Sequence, residues 1–287
     1  MCRLLAYAAP RETTVREVVG GVVCNAFQHM TRVHDDGWGT AWTAGGEVES
    51  LRISTSGLDD PLLTTVLQDD PAPARLVHLR LATGMFKRTK LNTHPFLADG
   101  IAFAHNGTAV PVERFDGLLE ERFRAGVQGD TDSERYFALV RQEAQRAGDL
   151  VSGVLAAVRA LRGQFPSGSF NALLLTAREL LVVHASSTAS VTVQTFTELG
   201  IREEDLPIDH TDDYYRLAMR RLADGTTVFS STGIDREGWT EVPDDTVSRV
   251  ELRTLEFSQV QIWPEGAEGD RHAIAALGTR STAAPGR

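Results

Sequence analysis

The sequence predicts an α+β fold with mainly antiparallel sheets. Three observations predict it: short apolar runs of strand character fill the first third of the chain, two alanine-rich amphipathic segments follow, and strand-like alternation resumes from Phe170 to Trp263. Leu4 to Ala8 reads as a strand at the N-terminus, which leaves residue 2 at its lip. Thr13 to Met30 carries helical apolar spacing at Val15, Val18, Val19, Val22, Val23, Ala26 and Phe27. The cluster DDGWG, Asp35 to Gly39, turns into a strand at Thr40 to Thr43, and Gly45-Gly46 suits a hairpin into Val48 to Ile53. Leu76 to Leu81 and Ile101 to Ala104 are buried-strand runs that end in the loops HLRLATG and AHNGT.

Asp132 to Gly148 and Asp149 to Arg162 read as two helices, or one kinked helix, capped at Thr131 or Asp132 and lying over one face of a sheet. Phe170 to Thr176 and Glu179 to Ala185 form a hairpin pattern, and Thr226 to Ser230, Arg249 to Leu255 and Gln259 to Trp263 continue as strands. From Pro264 onward Gly, Ala, Ser, Thr and Pro dominate. The expected organisation is one domain over residues 2–264 and a mobile tail over 265–287.

With 42% hydrophobic and 24% charged residues in 287, the composition is that of a folded globular protein. A formal net charge of −10 repels phosphate backbones and anionic lipid, so nucleic-acid and membrane partners are not expected. Cys2 and Cys24 are too few for a disulfide scaffold and fit a reducing compartment. MCRLLAYAAP imitates a signal peptide, but its apolar run is too short, and no stretch approaches the ~18 apolar residues of a membrane span. The expected location is cytoplasmic.

Five segments could carry chemistry. A cysteine behind the initiator Met becomes residue one when Met1 is removed, so one residue then holds a thiol and a neighbouring amine base. Arg80, in HLRLATG, offers a planar fork that can grip a carboxylate. Asn106-Gly107 places a side-chain amide beside an unobstructed backbone N–H, the two donors of an oxyanion hole. The acidic segment GDTDSE, residues 129–134, opens a helix and could face a ligand ammonium. Asn92-Thr93-His94-Pro95-Phe96 completes the set, and Asp36-Gly37-Trp38-Gly39 stands beside it. Read singly, each is equally a turn, a cap or a salt bridge.

Taken in order, Cys2, HLRLAT, NTHP, AHNG and TDSE resemble the class II, Ntn-type glutamine amidotransferases over about residues 2 to 135. DDGWG, Cys2-Arg3 and the later SSTG and GWTEVP stretches look most like the stand-alone subgroup that includes the ergothioneine-pathway γ-glutamyl amidohydrolase. The resemblance implies a four-layer αββα sandwich with Cys2 delivered between the sheets. It also implies roles: Cys2 as nucleophile with its own α-amine as base, Asn106 and Gly107 at the oxyanion, Arg80 on the substrate α-carboxylate, and Asp132 on its ammonium. Thr83 would supply a supporting substrate contact, and His94 and His105 would be scaffold.

The implied activity is hydrolysis of glutamine to glutamate and ammonia through a γ-glutamyl thioester, with no cofactor and no metal. The substrate would be a small γ-glutamyl molecule and the partner an ammonia-accepting synthetase. Two alternatives stand beside it: a hydrolase of a larger γ-glutamyl compound, and a non-catalytic protein that binds glutamate or glutamine. Two departures from the family pattern are Leu81, where many members have an aromatic, and the basic Lys87, Arg88 and Lys90, which read as a solvated loop or a contact for an anionic acceptor.

Overall fold

A computed structural model describes residues 1–82, 86–186, 189–211 and 213–263. In chain order the first half contains β1 (Cys2–Thr13), α1 (Val15–Val19), α2 (Gly21–His29), β2 (Trp38–Ala44), β3 (Glu47–Ile53), α3 (Pro61–Gln68), β4 (Ala72–Arg80), β5 (Phe96–Ala98), β6 (Ile101–Thr108) and α4 (Glu121–Arg124). The remainder contains α5 (Asp132–Ala147), α6 (Leu150–Gln164), β7 (Ser169–Leu175), β8 (Glu179–His184), α7 (Val193–Thr197), β9 (Leu217–Arg221), β10 (Thr227–Ser231), β11 (Thr240–Glu241), β12 (Thr246–Glu251) and β13 (Phe257–Gln261).

The strands form two antiparallel sheets, ordered β11-β9-β10-β1-β4-β2-β3 and β13-β12-β8-β7-β6-β5. Each sheet draws strands from both halves of the chain. The alternation of β1 explains how they stack. Leu4, Ala6 and Ala8 face the second sheet and pack with Ala102, Ala104, Leu173 and Leu175. Leu5, Tyr7 and Ala9 face the other way, against Val15, Val18, Phe27 and Leu63 of the first helical layer. On the far side of the second sheet, Phe103, Phe170 and Leu174 pack against α5 and α6 through Tyr136, Leu139, Val154 and Leu161. The result is the α+β, four-layer αββα arrangement. Alanines between the sheets let them approach closely at the centre, while side chains such as Phe103, each giving about 1.5–3 kcal/mol on burial, fill the sheet-to-helix layers.

Several elements differ from the sequence reading. The expected helix over Thr13 to Met30 is two helices, broken at Gly20, whose φ of +86° takes the chain out of the helical region. Thr14 caps α1 with a reciprocal box to Glu17, and the break turns Val22 outward, leaving it 83% exposed. The alanine-rich region is also two helices, ended by left-handed Gly148 and restarted by the Asp149 cap. The strand expected at Arg249 to Leu255 runs instead over Thr246–Glu251, and its partner over Phe257–Gln261. The tail expected over 265–287 lies outside the described residues. Among the described residues no helix is long and apolar enough to cross a membrane.

Candidate active site

Strand pairing assembles the site. In the β1–β4 ladder Cys2 lies opposite Arg80 and Leu4 opposite His78, so period-two alternation puts Cys2, Arg80 and His78 on the face that looks toward the second sheet. Across the gap, β6 brings Asn106 to Cys2. The Cys2 backbone N–H donates to Asn106 Oδ1 at 2.8 Å. Because that contact fixes Oδ1 as the acceptor, Nδ2 is the donor end, and it is buried without a partner among the described residues. A buried donor left unpaired costs about 1–3 kcal/mol. It is the kind of cost a structure retains when a ligand oxygen is to fill the place.

Gly107 follows Asn106 and pairs with Phe170 on β7. A Cβ there would stand 1.8 Å from the Ser169 carbonyl oxygen and 2.5 Å from His105 Nε2, so no side chain fits. His105 is held at both ring nitrogens: Nε2 donates to Ser169 O at 2.9 Å, and Nδ1 accepts from Ser133 Oγ at 2.9 Å. Burial lowers its pKa, in keeping with a neutral, structural ring.

The thiol of Cys2 is shaped by opposing effects. Burial raises its pKa. The N-terminal ammonium, then the His78 imidazole and the Leu81 backbone, outweigh that and bring it down to about 6. His78 Nε2 donates to the His105 carbonyl at 3.2 Å, and Nδ1 is buried without a hydrogen-bond partner among the described residues. The His94 ring lies 4.2 Å from that of His78, centroid to centroid, and burial holds the pKa of His94 far below its usual value.

Arg80 is buried, its pKa lowered by desolvation, and donates from Nη1 to Asp36 O and from Nη2 to Lys87 O, both at 3.3 Å. Among the described residues it has no carboxylate partner. Its fork is therefore held in place without being neutralised. Asp132, first residue of α5, is already engaged: Oδ2 accepts from Ala109 N at 2.6 Å and Oδ1 from Ser133 N at 2.9 Å. It fastens the helix to the end of β6, with lone pairs still available on each oxygen. Thr83, expected to support the substrate, lies outside the described residues.

The sequence segments interlock around this centre. Asn92 of NTHP accepts from Asp130 N at 2.9 Å and donates to Lys87 O at 3.1 Å. Asp36 of DDGWG accepts from Ala82 N at 2.6 Å and pairs with Arg88, so one buried carboxylate holds both ends of the segment that follows Arg80.

Sequence reasoning quoted the segments that hold His78, Asp36 and Arg3 without giving those residues these contacts, and it did not single out Tyr214. Arg3 is fully buried on the opposite face of β1, donating from Nε to the Cys2 carbonyl at 2.6 Å and from Nη1 to Thr232 Oγ1 at 2.6 Å. Its guanidinium sits 3.8 Å over the Tyr214 ring, whose hydroxyl also donates to Cys2 O at 3.4 Å. The available signal was an arginine inside a strand otherwise apolar on both faces.

Comparison with known proteins agrees with this arrangement. The profile of the glutamine amidotransferases class-II matches residues 1–248. A glutamine–fructose-6-phosphate aminotransferase [isomerizing] of Mycobacterium leprae is 34% identical over 179 residues, 58% of this chain and 27% of that one. An uncharacterized protein of Methanocaldococcus jannaschii is 28% identical over 156 residues, 51% of this chain and 39% of its own. The chain thus spans well under half the length of these relatives. Among solved structures, a glutamine aminotransferase class-II domain protein of Silicibacter pomeroyi superposes with a TM-score of 0.60 at 21% identity, covering 92% of this chain and all of that one. The glutamine phosphoribosylpyrophosphate amidotransferase of B. subtilis gives 0.59 at 17% identity, over 91% of this chain and 49% of its own. These likenesses extend the two-sheet fold across the second half of the sequence. With Cys2, Arg80 and Asn106 gathered at one end of the paired sheets, and with the profile match over most of its length, the chain belongs to the class II glutamine amidotransferases.

Proposed function

We propose that the protein is an N-terminal-cysteine amide hydrolase that cleaves a γ-glutamyl amide, glutamine in the simplest case, through a γ-glutamyl thioester. The observation that carries this reading is the unpartnered Nδ2 of Asn106, buried beside Cys2, whose thiol is the more acidic of the two in the chain. Removal of Met1 frees the α-amine of Cys2. The thiolate then attacks the amide carbon, and the tetrahedral oxyanion takes hydrogen bonds from Asn106 Nδ2 and the Gly107 N–H. The protonated α-amine donates to the leaving nitrogen as the C–N bond breaks, which leaves the thioester. Water, deprotonated by the same amine, releases glutamate and restores the thiol.

Arg80 suits the substrate α-carboxylate because its fork is buried and unneutralised, and the ammonium is assigned to Asp132, the buried first residue of α5, whose charge acts on Arg80. Arg3 and Tyr214 act as positioning residues, since both bind the carbonyl of Cys2 and fix the residue from behind. The M. leprae relative has glutamine and a sugar phosphate in its name and is far longer. On the glutamine reading, an ammonia-accepting synthetase is the corresponding partner of the present chain.

Intact mass and covalent labelling test the reading. The purified protein should lack Met1, and a diazo-ketone analogue of glutamine should add one equivalent at Cys2 and abolish glutamate release. A chain that keeps Met1, or a Cys2 left unmodified by the analogue, would refute the proposal.

A further inference from the structure

Before it is removed, Met1 occupies a built chamber. Its backbone extends the β1–β4 ladder by one residue: the terminal nitrogen donates to Leu81 O at 2.9 Å, and Leu81 N donates to Met1 O at 2.9 Å. Its side chain is buried against Val33, Leu81, Val191, Phe196 and Tyr214. Met1 also forms part of the wall of a cavity of about 430 Å³ that reaches Phe165, Val191 and Tyr215. Excision therefore leaves an apolar, aromatic hollow, open to that cavity, with the N–H of Leu81 newly unpaired at its edge and its C=O left to the Cys2 thiol at 3.9 Å.

The position of this hollow follows from bonding. Met1 is joined to the nitrogen of Cys2. In the thioester mechanism that nitrogen hands its proton to the departing amine, so the departing group must lie against it. We infer that the chamber vacated by Met1 is a leaving-group subsite, and that the enzyme's substrates are γ-glutamyl amides of apolar amines or apolar amino acids. Ammonia would fill almost none of this volume and would leave the Leu81 N–H unpaired. An amino acid with an aliphatic or aromatic side chain covers the apolar wall, and its polar end meets Leu81. The glutamyl half lies elsewhere, toward Arg80.

The inference rests on the thioester reading and narrows its substrate. On cleavage the C–N bond breaks, the C–S bond forms, and the proton of the α-ammonium goes to the leaving nitrogen; water then hydrolyses the thioester, with no other reactant.

The test measures kcat/KM of the Met1-processed enzyme on glutamine, γ-glutamyl-methylamide, γ-glutamyl-methionine and γ-glutamyl-phenylalanine, each by glutamate release. The amino-acid conjugates should exceed glutamine by about tenfold or more, the discrimination an apolar pocket commonly gives. Val191→Phe, which narrows the chamber, should lower the ratio of γ-glutamyl-phenylalanine to glutamine turnover severalfold, and Val191→Ala should not lower it. Thermal melts of both variants report that they fold. Glutamine turned over as well as, or better than, the conjugates overturns the subsite while leaving the thioester reading intact. A ratio unmoved by Val191→Phe does the same. No turnover of any γ-glutamyl amide, with Cys2 unlabelled by the diazo-ketone, overturns both.

Discussion

Asn106 meets Cys2 across the gap between the two sheets with its oxygen engaged and its nitrogen free: Oδ1 takes the Cys2 N–H at 2.8 Å, and Nδ2 is buried without a partner among the described residues. Asn106→Ala should lower kcat by about 100- to 1000-fold, the usual cost of one oxyanion donor, and change KM far less. Steady-state kinetics beside a thermal melt of the variant check this. A kcat within a few-fold of the parent would show that Nδ2 takes no part.

The thiol of Cys2 sets a pH dependence. With Met1 in place, burial raises its pKa, but the Met1 ammonium and His78 bring it down to about 6, so in this form the thiolate prevails above that pH and is lost as pH falls through it. The rate of alkylation at Cys2 should climb between about pH 5 and about pH 7 and then level off. Cys24, pushed up to about 11 by burial, should remain unreacted over the same range. In His78→Gln the midpoint should move upward. Iodoacetamide kinetics followed by peptide mass read both cysteines at once.

Arg80→Lys keeps the positive charge and loses the fork. The expected effect is a rise in KM for the glutamyl substrate of about 10- to 100-fold, the worth of a charge-assisted hydrogen bond, with a smaller change in kcat. Competition by free glutamate should weaken in parallel, measured as its inhibition constant.

Gly107→Ala should fail by a different route. A methyl group there meets the Ser169 carbonyl at 1.8 Å, so β6 and β7 must move apart. A loss of about 1–3 kcal/mol or more is expected in urea denaturation, together with lost activity.

Asp36→Asn tests the anchoring of the basic segment. The Asp36 carboxylate binds Ala82 N and Arg88, and the neutral amide cannot pair with Arg88 as an ion. Trypsin should then cut faster after Lys87 and Arg88, as followed by timed digestion and mass spectrometry. An unchanged cleavage rate would remove the role assigned to Asp36.

The part of the site that could be read from the sequence is the part held by adjacent residues. Asn106-Gly107 and Cys2 announce their chemistry through residue type and position, and the β1 and β6 runs beside them carry plain strand patterns. What was not legible depends on pairing between distant strands. Nothing local says that His78 will sit one pleat deeper than Cys2, because that follows from the β1–β4 register. Nothing local says that Asp36 will reach Ala82, or that Tyr214 will reach the carbonyl of Cys2 from more than two hundred residues away. The apolar spacing of Thr13 to Met30 was real but misread as continuous, because periodicity counts side chains and does not register the backbone reversal at Gly20.

The strand that bears Cys2 precedes the other strands in the sequence, yet it lies between β4 and β10, with β10 closing its second edge. On the ribosome it must wait, with one row of hydrogen-bonding groups unmet, until residues 227–231 have emerged. A nascent chain halted before Thr227 would contain Cys2, HLRLAT, NTHP, AHNG and TDSE and still present β1 as an open edge. The strand of the nucleophile is thus made ahead of the strand that encloses it, which ties the maturation of Cys2 to completion of the far half of the sheet.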